Sequence, residues 1–217
     1  MGTITRSFAN NITTSGVLLP ASLTNNSIAN VTAYNAAIAT GNMVLISSQT
    51  ASNSASISFT TGIDSTYKEY QFYFIDIHSR NDDVAFTFNL STDSGSNYNV
   101  TKTTTMFRAY HDEADTVTQL LYRTAEDLAQ STAFQIISER NGSGADESTS
   151  GLLTLFNPSS TVYVKHFISN VNEYNTANVS VNDYVAGYGN TTSAVNAVQF
   201  KMSSGNFDGT ILMYGIV

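Results

Sequence analysis

The chain has 217 residues, no cysteine and a net charge of −8, and only 12% of its residues are charged. Without cysteine there is no disulfide framework, thiolate nucleophile or zinc-thiolate site. Nine Lys and Arg against 17 Asp and Glu, with no basic cluster, oppose a nucleic-acid partner, because that affinity rests on neutralising phosphates.

The start, M-G-T-I-T-R-S-F-A-N-N, lacks the apolar region of a secretory signal, and no apolar run approaches the ~20 residues of a membrane span. A myristoylation site wants Ser or Thr where Arg6 stands. The expectation is a chain made and kept soluble, with no membrane partner. Residues 1–40 then scatter the apolar residues Ile4, Phe8, Ile12, Val17, Leu18, Leu19, Leu23 and Ile28 among Asn, Ser and Thr, punctuated by Gly16 and Pro20. They are too sparse for a core. The reading is an extended N-terminal arm, with a disordered tail as the alternative for such a composition.

From Met43 the pattern changes to short strands separated by small polar residues, and residues 41–217 read as one β-sandwich body. Met43–Gln49 and Ser54–Thr60 come first. The stretch Glu69–Leu90 then reads as a β-hairpin turning at Ser79-Arg80-Asn81-Asp82. In its second strand Val84, Phe86, Phe88 and Leu90 share one face, the period-2 pattern of a strand with one wet side. In its first strand Tyr70, Phe72 and Phe74 point one way and Tyr73, Ile75 and Ile77 the other, so both faces call for cover. A buried Phe or Ile contributes roughly 1.5 to 3 kcal/mol. A loop, the arm or another subunit must therefore lie over the second face, which makes Tyr73, Ile75 and Ile77 candidate partner contacts, together with Ile4, Phe8, Ile12, Val17, Leu18 and Leu19 of the arm.

Beyond the hairpin, Asp93-Ser94-Gly95-Ser96-Asn97 is a turn and Tyr98–Tyr110 a Thr-rich strand, which Thr116–Tyr122 extends. Thr124–Gln130 carries the one helical signal, a capping Thr124 with Glu126 and Asp127 in the first turn. Thr132–Glu139 is a strand, and Arg140–Ser150 a glycine-rich acidic loop expected to be a surface tip. Leu152–Phe156 follows. Thr161–Val171 alternates Val162, Val164, His166 and Ile168 on one side, and Val179, Val181 and Val185 line another strand. The last pair is V-Q-F-K-M and G-T-I-L-M-Y-G-I-V around Ser203-Ser204-Gly205-Asn206. Many short strands, frequent turns and almost no Pro predict an all-β, jelly-roll-like antiparallel β-sandwich with an N-terminal arm and one short helix.

Catalytic signals are weak. His78, His111 and His166 are unclustered, and His166 reads as a hydrogen-bonded core histidine. His111-Asp112-Glu113 with Asp115 fits no EF-hand loop, and Asp82-Asp83 and Asp146-Glu147 read as solvated acidic turns. No G-x-S-x-G elbow occurs. No catalytic, metal or cofactor site is assigned. Tyr174, Tyr184 and Tyr188 are candidates for a sugar-stacking platform, against the plainer reading that they pack.

Glu69-Tyr70-Gln71-Phe72, Ser91-Thr92-Asp93-Ser94-Gly95-Ser96-Asn97-Tyr98, Arg108-Ala-Tyr-His111, Leu155-Phe-Asn-Pro-Ser159, Gly187-Tyr-Gly-Asn190 and the ending Gly209-Thr-Ile-Leu-Met-Tyr-Gly-Ile216 resemble structural proteins of marine tailed bacteriophages, over roughly residues 43–217. The resemblance implies a non-enzymatic virion protein made in the host cytoplasm and displayed on the particle surface. Its place would be the outer head, as a capsid decoration or cement protein, or else a tail fibre, as a receptor- or carbohydrate-binding module. Implied partners are the major capsid protein or tail components, further copies of the chain, a trimer being common among such spikes, and a host-surface glycan in the second case. A polysaccharide-degrading enzyme is the third reading; it requires a pair of carboxylates facing each other across a cleft.

Overall fold

In a computed structural model the described residues are 42–217 and two short strands before them, β1 (Ile12–Thr13) and β2 (Gly16–Val17). The chain divides into a unit Met1–Ala39, in which β1 and β2 pair antiparallel, and a unit Thr40–Val217. Ile4, Phe8, Leu18 and Leu19, and the side chains of Ile12 and Val17, lie outside the described residues.

The second unit holds β3 (Met43–Ser54), β4 (Ile57–Phe59), β5 (Glu69–Ser79), β6 (Val84–Ser91), β7 (Lys102–Asp112), β8 (Thr118–Tyr122), β9 (Gln135–Asn141), β10 (Thr149–Phe156), β11 (Lys165–Tyr174), β12 (Val179–Gly189), β13 (Ala197–Met202) and β14 (Phe207–Ile216). They form two antiparallel sheets, β3-β14-β5-β10-β11-β12-β7-β8 and β4-β13-β6-β9. With β7, β8, β11 and β12 set aside, the remaining eight strands fall into two layers in the order 1-8-3-6 over 2-7-4-5. This is the jelly-roll arrangement of two Greek keys. The hairpins β7-β8 and β11-β12 are insertions that widen one sheet from four strands to eight.

The expected hairpin at Glu69–Leu90 is corrected by this topology. β5 and β6 belong to opposite sheets, and Ser79–Asp83 carries the chain across the sandwich. The faces assigned to the core do meet there: Phe74 and Phe86 pack edge to face at 5.2 Å between ring centroids. Phe200 of β13 packs against Phe72 and Phe74 of the facing sheet at 5.3 and 5.2 Å, and Phe88 meets Phe167 of β11 at 4.9 Å. These rings join Tyr70, Leu153, Leu155, Ile211 and Met213 in one core. The final pair, β13 and β14, likewise crosses between sheets around its turn rather than forming a hairpin.

Ile77 also departs from strict alternation. Pairing of β5 with β14 shifts between Asp208 and Thr210, where Asp76 (φ 50°) and Gly209 (φ 125°) both adopt left-handed backbone. A bulge of this kind adds one residue and reverses the facing of the strand beyond it. Ile77 is therefore fully buried in the core, while Ile75 stays outside. The second apolar face of β5 shrinks to Tyr73 and Ile75.

Two further expectations are overturned. Thr124–Gln130 is a turn, and no helix occurs among the described residues. β7 holds the backbone of this segment and of the residues on either side of it: Thr104 N–H donates to Leu128 O at 2.9 Å, Arg123 N–H to Met106 O at 2.8 Å and Lys102 N–H to Ser131 O at 2.8 Å. Groups committed to a neighbouring strand are lost to i,i−4 pairing. On β11 the facing is inverted, with Lys165, Phe167, Ser169, Val171 and Glu173 inside and His166 and Ile168 exposed. Val162 lies in the preceding loop, also exposed.

Candidate interaction surface

Cross-strand register sorts the outward side chains of the large sheet into rows. One row crosses all eight strands through Ser48, Leu212, Tyr73, Leu152, Asn170, Tyr184, Phe107 and Tyr122. The next runs through Leu45, Tyr214, Gln71, Thr154, Ile168, Ala186 and Thr105. Neither contains a charged residue. Aromatic neighbours bind the rows together: Tyr73 packs edge to face on Tyr214 at 5.6 Å, and Phe107 stacks on Tyr184 at 4.9 Å with planes 7° apart. The face remains open, with Leu45, Phe107, Tyr122, Ile168 and Tyr184 each more than a third exposed.

A groove of about 450 Å³ runs along this face. Ala186, Thr105 and Ile168 lie along it, and Tyr188, His166 and Phe156 border it on one side. Of the proposed sugar-stacking residues, Tyr184 and Tyr188 stand here, whereas Tyr174 sits at the far end of β11 with its hydroxyl 3.0 Å from Asn178 Oδ1. His166, expected in the core, is on this outer face, its ring 6.2 Å from that of Tyr188. Tyr73 and Ile75 belong to the face; Ile77 does not.

A second opening, also of about 450 Å³, lies where β9 passes under the inserted hairpins, and is lined by Arg108, Tyr110, Gln119, Arg123, Glu139, Arg140 and Asn175 among others. Behind it sits an ionic cluster that strand-by-strand reading did not assemble. Arg108 Nε reaches Asp183 Oδ1 at 3.1 Å and its Nη2 reaches Glu139 Oε2 at 2.5 Å, while Arg123 Nη2 holds Glu139 Oε1 at 2.5 Å and Glu126 Oε1 at 2.8 Å. Glu173 accepts the Arg140 backbone N–H at 3.1 Å. Burial, then the charge of Asp183, pushes the Glu173 carboxyl up to about 8, and burial pushes Asp183 up to about 6 against the pull of Arg108. Glu139 is the one carboxylate lining this opening, and two guanidiniums already hold it. That arrangement is not the facing pair that glycoside hydrolysis needs.

Among the described residues, two lysines are buried without a carboxylate partner. They flank Gly189 in register, Lys165 on β11 and Lys102 on β7. Lys102 Nζ donates to Asn89 Oδ1 at 2.5 Å and Val100 O at 2.8 Å, and burial draws its pKa down to about 7. Lys165 Nζ donates to Tyr163 O and Thr191 O, and burial lowers its pKa too. Facing could have revealed Lys165 only with the correct phase of β11, since a Lys inside an alternating strand reads as its wet side.

The remaining sequence candidates are dispersed. His78 Nδ1 lies 2.7 Å from Glu147 O, tying down the acidic loop, and His111 Nε2 meets Asp115 Oδ1 at 3.1 Å on the surface. No group of three or more His, Cys, Asp or Glu arranged to hold a metal occurs among the described residues. No known protein family, curated protein or solved structure matches the chain.

Proposed function

We propose that this chain is a structural protein of a tailed-bacteriophage virion, with its jelly-roll body displayed on the outer head as a decoration protein. The observation that carries the proposal is the pair of wide, uncharged rows, rich in aromatic side chains, on the outer face of the eight-stranded sheet. Interface cores are depleted in charge and enriched in Tyr, Phe and Met, and soluble monomers rarely leave such patches open. The motif resemblance supports the assignment to a phage particle, and jelly rolls recur in capsid and lectin domains, although a fold alone names no function. Residues Ile4, Phe8, Ile12, Val17, Leu18 and Leu19 are proposed as the attachment to the major capsid protein, and Tyr73 and Ile75 as contacts on the outer face. The purified chain should co-sediment with heads that lack it, and removal of residues 1–40 should abolish this. A chain that stays in the supernatant at saturating concentration sinks the proposal.

One observation favours a second reading, a glycan-binding module on a tail fibre: the exposed Phe107–Tyr184 stack beside the groove bordered by Tyr188 and His166. Retention on host polysaccharide, lost in Tyr184→Ala and Tyr188→Ala, would favour it over head decoration.

A further inference from the structure

We infer that the outer face of the eight-stranded sheet is a homodimer interface, covered by the same face of a second copy across a two-fold axis. This deepens the proposal above by naming the occupant of that face, and it leaves attachment to the particle to other residues.

Three observations select a second copy. The first is charge. The chain carries −8 overall, so like faces of ordinary composition would repel one another, yet the two central rows from Ser48 to Tyr122 and from Leu45 to Thr105 hold no ionic side chain. The second is the chemistry of their polar members. Ser48, Gln71, Thr105 and Asn170 carry hydroxyls or amides that both donate and accept. Such groups pair with their own copies, whereas a row of carboxylates or ammonium groups cannot, and a two-fold interface demands self-complementarity of this kind.

The third observation is size. With one flanking row added on each side of these two, seven interstrand spacings of ~4.8 Å and three row spacings of ~7 Å give a face of roughly 34 by 21 Å, or roughly 700 Å². Stable interfaces bury roughly 600 to 1,000 Å² on each partner, and one face falls within that range. Sheets stacked face to face sit ~10 Å apart with strands within about 30° of each other. That spacing lets Tyr73, Tyr184, Phe107 and Ile168 interdigitate with their counterparts.

Sedimentation equilibrium of the full chain between about 1 and 100 μM tests the inference directly. The expected result is a species of twice 23.4 kDa. Tyr184→Asp and Ile168→Asp, both at outward positions, should each raise the dissociation constant at least ~100-fold, because a like charge is brought against its copy. Val162→Asp, in the exposed loop before β11 and outside the two rows, should leave it unchanged. Because the chain has no native cysteine, a single Asn170→Cys, in the middle of the first row, offers a second readout. A short bismaleimide should link it into covalent dimers, and should fail to link Val162→Cys. A wild-type monomer at 100 μM, or Asp variants that dimerise as tightly as wild type, overturns the inference. A monomer that still co-sediments with heads would overturn the dimer alone, and a dimer that ignores heads would overturn the virion proposal alone.

Discussion

Replacing Lys102 with Met should make the protein more stable at neutral pH and remove a specific pH dependence. The Lys102 side chain is fully buried, and its ammonium faces Asn89 Oδ1 and Val100 O, with no carboxylate beside it among the described residues. Burial draws its pKa to about 7 from 10.5. Between those values the unfolded chain holds a proton that the folded chain has released, so stability rises with pH across that window and the penalty is complete below it. At ~1.4 kcal/mol per pH unit the full penalty is on the order of 4 to 5 kcal/mol. Met fills a similar volume. It leaves Val100 O without the donor, at a cost of about 1 to 3 kcal/mol, while Asn89 Oδ1 keeps the Leu90 N–H at 2.8 Å. The net expectation at pH 7 is a gain of roughly 2 kcal/mol. Urea unfolding of both proteins at intervals from pH 7 to 10 isolates the effect, because Lys165 titrates in both and cancels in the difference. The wild type should approach and then overtake the variant as pH rises. Parallel curves would refute the reasoning, since they would mean that Lys102 keeps its proton in the fold.

Glu173 gives the opposite window. Its folded pKa of about 8 lies above the ordinary 4.5, so the folded state holds the extra proton and stability is lost as pH climbs through that interval. Glu173→Gln, which keeps an acceptor for the Arg140 N–H, should flatten the fall between pH 5 and 8 in the same urea series. Gly209→Ala should destabilise by about 2 to 3 kcal/mol. A Cβ there would stand 2.6 Å from Asp76 O and 2.9 Å from Ile77 Cα at φ 125°; a melting temperature within 2 °C of wild type would argue against the bulge. Phe200→Ala, at the centre of the inter-sheet rings, should cost about 3 to 5 kcal/mol by denaturant unfolding.

Much of the fold was legible because alternation is a local property of a strand. Val84, Phe86, Phe88 and Leu90 announce their inner face from sequence alone, and so do Tyr70, Phe72 and Phe74. The partner of a strand is not local. Ser79–Asp83 is polar and short, which suits a hairpin turn and a crossing between sheets equally well, and only the global pairing decides. The phase error at Ile77 has a definite cause, a bulge formed jointly by Asp76 and by Gly209, 133 positions later. The helical signal at Thr124–Gln130 was real as propensity but lost to β7, whose free edge takes up the same backbone groups. On β11 a lysine inside and an isoleucine outside invert the usual code, and Ile168 is exposed because it belongs to the outer face.

The same face explains what was visible of the candidate site. Tyr73 and Tyr184 stood out singly, whereas the row that joins them to Phe107, Leu152 and Leu212 exists only once eight strands are in register. The ionic cluster of Arg108, Arg123, Glu139, Glu173 and Asp183 was out of reach for the same reason, being drawn from β7, β9, β11, β12 and the segment after β8.

The most direct test of the central claim is to locate the chain on a particle. Antibody-labelled electron micrographs of the purified phage should show label distributed over the head surface. Label confined to the tail would move the protein to the fibre reading, and particles that carry no label at all would contradict the account.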